Sequence, residues 1–126
     1  MKTFRIKSEF ALRWINYLLY KGFTQTQEVL HDPSVGAFCC LGVGCIVARD
    51  LGYNVDIVSS EFETKFNGSE DVLPADIAEF AGITDINGCT TFNPQLGSYK
   101  ASEWNDDHGA SFEVIAALIS FYGEFY

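Results

Sequence analysis

The run Phe38-Cys39-Cys40-Leu41-Gly42-Val43-Gly44-Cys45-Ile46-Val47-Ala48-Arg49-Asp50-Leu51 decides how this chain folds. It is too long for an ordinary strand and is closed by Gly52, so it predicts a helix packed in the core. Its uncharged part, Ala37 to Ala48, is too short to span a bilayer. Gly42 and Gly44 each cost a helix about 1 kcal/mol relative to Ala. That cost predicts another backbone packing closely against them. A phosphate-cradling glycine loop needs a strand before it and a Lys or Ser/Thr after it; neither is present.

Outward from this run, the N-terminal side predicts a helix over Phe10 to Lys21, capped by Ser8, with Glu9 in its first turn and Gly22 as its stop. Its polar residues Glu9, Arg13, Asn16 and Tyr20 form one narrow stripe, and the rest is apolar. Thr24 to Gly36 reads as a polar loop. On the C-terminal side, Val55 and Ile57 alternate with polar residues as in an edge strand, and Asn67-Gly68 signals a turn. Pro74 opens a helix that ends at Gly82. Asn87-Gly88 signals a hairpin. A short helix over Lys100 to Asn105 and the loop Asp106 to Ala110 lead to Ser111, which caps a final helix from Phe112 to Tyr122. The expected fold is a helix-rich α+β single domain, residues 1–126, with a small antiparallel sheet.

The formal net charge is −9, from 8 Lys+Arg and 17 Asp+Glu. Residues 1–22 hold Lys2, Arg5, Lys7, Arg13 and Lys21 against Glu9, a net of +4; residues 23–126 hold only Arg49, Lys65 and Lys100 as cations and carry −13. Such a body repels phosphate polyanions, so direct nucleic-acid binding is not expected. The basic segment either pairs with the acidic body or holds one small anion. Cys39 and Cys40 are adjacent, and with Cys45 they lie in the apolar run, which points to free thiols rather than bridges. Met1 to Lys7 is not followed by a clean apolar stretch and cleavage site, so a cytoplasmic protein without membrane contact is expected.

Four blocks stand out together: Trp14 to Gly22, Phe38-Cys39-Cys40-Leu41-Gly42-Val43, Leu73-Pro74 through Ile83, and Asn105-Asp106-Asp107-His108-Gly109-Ala110-Ser111-Phe112-Glu113-Val114-Ile115-Ala116. In order and spacing the chain resembles a family of small, uncharacterised proteins of bacteriophage and prophage genomes. It departs from that family after Trp14, where Ile15 to Lys21 lacks the usual arginine. The resemblance implies a viral setting and a fold; it implies no reaction.

The candidate ligand site is the segment before the last helix. Asn105 and Asp106 offer acceptors and an amide, the N–H groups after Ser111 suit a small anion, and Trp104 and Phe112 offer stacking faces. Arg13, from the basic segment, is the candidate cation. The competing reading makes Ser111 a plain cap and uses Asn105 and Asp106 to tie the loop to the fold. Cys39, Cys40 and Cys45 lack zinc-ligand spacing. A calcium loop aligned on Gly109 puts Trp104 and Ile115 where carboxylates are required, so neither a metal nor another cofactor is expected. Catalysis by Cys40 or Cys89 with His108 has no local support.

The expected function is therefore non-enzymatic: a counter-defence binder that sequesters a host nucleotide-type small molecule. The alternative is an acidic inhibitor of a host defence protein or nucleic-acid-binding protein, and a small hydrolase ranks third. The aromatic end, Phe121-Tyr122-Gly123-Glu124-Phe125-Tyr126, must fold back or bury against a partner. With the apolar first helix, it leads to the expectation of a homo-oligomer.

Overall fold

The computed structural model describes residues 1–126. Its first half runs β1 (Phe4–Ile6), α1 (Ser8–Tyr20), β2 (Thr24–Gln25), β3 (His31–Asp32), β4 (Ala37–Phe38) and α2 (Cys40–Asp50). The second half runs β5 (Ile57–Ser59), β6 (Thr64–Phe66), α3 (Ala75–Ala81), β7 (Thr84–Asp85), β8 (Gln95–Leu96), β9 (Tyr99–Lys100), α4 (Ala101–Asp106), α5 (Phe112–Tyr122) and β10 (Gly123–Phe125). This is an α+β domain. Its strands divide among four small sheets ordered β10-β1-β7, β2-β4-β3, β5-β6 and β8-β9, with parallel pairs at β1–β10 and β2–β4.

Helix α2 is the centre of the molecule, buried without interruption from Cys40 to Ala48, and α1, α3 and α4 pack around it. An isolated helix so apolar on every side is stable only inside a core. Cys39 supplies its cap, its sulfur accepting the Gly42 N–H. The two glycines prove different. A Cβ on Gly42 would run into the Leu30 carbonyl, the close backbone approach that the sequence implies, whereas a Cβ on Gly44 would rest in ordinary contact 3.6 Å from the Trp14 ring. Trp14 itself is buried and donates its indole N–H to the Cys40 carbonyl at 3.0 Å, so its one polar atom is satisfied as burial requires.

Helix α1 buries Phe10, Ala11, Trp14, Tyr17 and Leu18. Leu19, expected on that face, is partly exposed. Ser8 does not cap it: Lys7 holds the cap position without a side-chain bond, and Ser8 is the first helical residue. The Ser8 N–H goes instead to the Tyr126 carbonyl at 2.8 Å, so the end of the chain does the work of a cap. Strand β10 lies parallel to β1 in the register Phe4–Gly123, Arg5–Glu124 and Ile6–Phe125. The Tyr126 hydroxyl donates to the Gly82 carbonyl at 2.8 Å, and the Arg5 guanidinium sits over the Tyr126 ring. The aromatic end is thus folded back on its own chain beside the start of α1. This removes the argument for a second subunit that the tail supplied, although Phe121 stays largely exposed.

The segment from Thr24 to Gly36 is not a plain loop. It supplies β2 and β3, which flank β4. Gly82, at φ 68°, ends α3 as expected, and Thr84–Thr90 bridge across the Asn87-Gly88 turn. Asn67 and Gly68 both take positive φ and close a single bridge, Phe66–Ser69; the β5–β6 hairpin turns earlier, at residues 60–63.

The split between the two glycines is testable by urea unfolding. Gly42→Ala drives a methyl into the Leu30 backbone and should cost about 3 kcal/mol or prevent folding. Gly44→Ala should be neutral or gain up to about 1 kcal/mol from helix propensity. Equal losses at the two positions would refute the contact.

Candidate functional site

Helix α4 begins where Glu103 reaches back to the Lys100 N–H at 2.9 Å, the returning half of a capping box. It carries Trp104, Asn105 and Asp106. Asn105 is fully buried. Its Oδ1 accepts from Gln25 Nε2 at 2.8 Å and the Cys40 N–H at 3.2 Å, and its Nδ2 donates to the Thr26 carbonyl at 2.9 Å and Asp106 Oδ1 at 2.7 Å. An amide side chain has two lone pairs and two N–H groups, so none is left for a ligand. Asp106 Oδ1 also takes the Glu28 N–H at 3.0 Å, which helps hold Glu28 at φ 70°, an uncommon conformation outside glycine.

Trp104 donates to the Leu96 carbonyl at 2.9 Å, and its ring closes against Tyr99 and His108. Trp104 meets Tyr99 edge-on and His108 at a tilt, so the three rings pack on one another. Ser111 accepts the Val114 N–H at 3.3 Å as a plain cap of α5, and Phe112 is buried behind it. Glu113 stands in the first turn of α5, where its charge opposes an incoming anion. Arg13 lies on the exposed face of α1 and lines none of the concavities. Of the six residues singled out from sequence, only Asp106 borders one.

That concavity is a trough of about 500 Å³ with Leu41, from the first turn of α2, among its walls. Glu28, Asp71, Asp106 and Asp107 stand on its walls against the single cation Lys100. Val72 and Phe92 also line it, and both continue into a neighbouring concavity of about 330 Å³ whose other walls include Leu73, Pro74 and Asp76. The acidic charge is largely free. Ion pairs join Arg5 to Glu124, Arg49 to Asp50 and Lys65 to Glu63, which occupies three of the seventeen carboxylates. The lysines of the basic N-terminal segment are spent elsewhere: Lys2 and Lys7 donate to the Phe121 and Phe80 carbonyls, and Lys21 covers the Tyr17 ring.

A second recess, of about 220 Å³, holds His31, Glu63, Thr64 and Glu70. His31 Nδ1 lies 2.7 Å from Thr64 Oγ1, which is 2.9 Å from Ser59 Oγ. Burial lowers the His31 pKa, so the ring favours its neutral form. Glu70 is raised by its hydrogen bond with Glu63, which is lowered in turn. Sequence reasoning missed both recesses. Their residues come from separate elements and loops, and no spacing along the chain links them.

Three of the four thiols are held in their neutral form by burial. Desolvation raises Cys39 to about 11 and pushes Cys40 and Cys45 up as well. Cys40 is fully buried and directs its thiol to the Ala101 carbonyl, whereas His108 stacks on Tyr99 at the surface. All four cysteines are free, with Cys89 alone exposed. No cluster of three or more His, Cys, Asp or Glu side chains converges as a metal site would, and no helix is long and apolar enough to cross a membrane.

Fold and surface together define an α+β domain with an acidic, apolar-waisted trough. The chain belongs to the family described as a domain of unknown function, DUF8296, whose model matches residues 6–122. No curated protein and no solved structure matches it.

Two outcomes follow from this geometry. Asn105→Ala strips partners from four groups and should cost about 3 kcal/mol in chemical unfolding, against about 1 kcal/mol for Ser111→Ala; a smaller loss at Asn105 would contradict its bonding. Iodoacetamide on the native protein should add one adduct by intact mass, at Cys89, and four once the chain is unfolded. Rapid modification of more than one thiol in the native state would show that the core opens.

Proposed function

We propose that this protein is a non-enzymatic binder that presents its acidic trough to a positively charged partner, and that the partner is another protein. The observation that carries this reading is the wall of four carboxylates, Glu28, Asp71, Asp106 and Asp107, opposed by one lysine, on a body whose charge is mostly unpaired. In the viral setting that the resemblance implies, the partner is a host defence or nucleic-acid-binding protein in the host cytoplasm. Complementary charge speeds encounter and suppresses wrong partners.

A nucleotide-type ligand has less support. The buried amide of Asn105 has no vacant bond, and a phosphate in the trough would face carboxylates on several sides. Hydrolysis has less still: the hydroxyl in the trough, Ser102, is held by the Asn93 amide, and the Thr64 hydroxyl beside His31 is buried.

Fluorescence anisotropy with a labelled lysine-rich peptide tests this reading. Binding should be tight at low salt and weaken at least about tenfold as the Debye length falls from about 10 Å at 0.1 M toward about 3 Å at 1 M. Asp71→Asn with Asp107→Asn should weaken it further at constant melting temperature. Salt-independent binding, or preferential binding of labelled ATP over the peptide, would reverse the assignment.

A further inference from the structure

We propose that the trough takes an extended basic segment of a partner chain, with one bulky apolar side chain seated on Phe92 and Val72 and Lys or Arg on either side of it; this rests on the reading of the protein as an acidic binder.

The first support is the shape. The two concavities, about 500 and 330 Å³, meet at Val72 and Phe92. Two adjoining concavities that share these apolar residues suit a protruding strand better than a flat protein face, and a short polycation would leave Val72 and Phe92 uncovered. The second is exposure without a structural task. Val72 is 53% exposed and Phe92 47% exposed, while their neighbours Leu73 and Pro74 are buried. Apolar surface of this kind, flanked by polar walls, is a contact surface in search of a partner.

The third support is rigidity. Val72 is held from both sides by Ser69, whose Oγ donates to the Val72 carbonyl at 2.6 Å and accepts the Val72 N–H at 3.3 Å. Phe92 precedes Asn93, whose side chain clamps Ser102 of α4 by bonds of 2.6 and 3.0 Å. Both apolar anchors therefore stand on loops already tied to the domain, and binding spends little on ordering them. The fourth is charge. Glu28, Asp106 and Asp107 lie in the larger concavity and Asp76 in the smaller, so carboxylates stand on both sides of the apolar waist. Lys100 is outnumbered in the larger concavity and leaves the net complement cationic.

The test uses the full chain and three probes at one fixed salt concentration. They are a labelled Lys/Arg peptide of about nine residues with a central Phe, the same peptide with a central Gly, and spermine; about nine extended residues are enough to traverse both concavities. The Phe-centred peptide should bind at least about tenfold more tightly than the Gly-centred one. Phe92→Ser should erase that preference. In the unaltered protein, amide resonances of Val72, Phe92 and Asp107 should shift most on titration, a readout that needs no variant. Equal affinity for the two peptides, or shifts centred elsewhere, would overturn the inference and leave the acidic-binder reading standing. Full displacement of the peptide by spermine at similar concentration would also overturn it, in favour of a small polycation. Failure of both peptides to bind would remove both readings.

Discussion

The side-chain amide of Asn105 sits where no water reaches it, and three elements converge on it. It accepts from the first N–H of α2, accepts from Gln25 of β2, donates to the carbonyl of Thr26, and donates to Asp106 beside it. A buried polar group left without partners is costly, so these elements are held together as much by the penalty for separating as by the bonds themselves. The consequence reaches the surface. By binding Asp106, Asn105 orients the carboxylate that receives the Glu28 N–H, and two walls of the trough are set from inside the core.

Charge and apolar packing are separated with little overlap in this domain. Helix α2, the faces of α1, α3 and α4 against it, and the face of α5 against α1 hold most of the buried side chains. The acids lie outside, and few are paired. At neutral pH the body repels itself, a destabilising term that a basic partner would relieve. The same segregation explains why the basic N-terminal segment does not quench the acidic surface. Lys2, Arg5, Lys7 and Lys21 are committed to Glu124, to aromatic faces and to backbone carbonyl groups.

What the sequence made legible follows from range. The core helix was readable from an uncharged run bounded by Gly52, and α3 from Pro74 and Gly82, because these signals act within one or two turns. The backbone contact at Gly42 was readable from the cost of glycine in a helix, though Gly44 carries the same cost and meets only side chains, the Trp14 ring and Leu73. Strands of two or three residues carry no usable periodicity, and β1 depends on a partner at the far end of the chain, so it went unread. Ser8 looked like a cap because serine caps by local chemistry, yet a distant carbonyl already served its neighbourhood. In the candidate site, Asp106 borders the trough, and Asn105 follows the competing reading, its polarity spent on tying the loop to the fold. Val72 and Phe92, single apolar residues in polar loops, gave no signal until the fold set them side by side.

The pairing of β1 with β10 also bears on how the protein is made. Arg5 and Glu124 are 119 residues apart, and at roughly 5–20 residues per second a ribosome needs on the order of ten seconds to produce the second after the first. Throughout that interval Phe4 and Ile6, which end up fully buried, have no strand to lie against on one side, and the first turn of α1 lacks the carbonyl that receives the Ser8 N–H. Phe4 and Ile6, though made earlier, therefore settle only after residues 123–126 have been made.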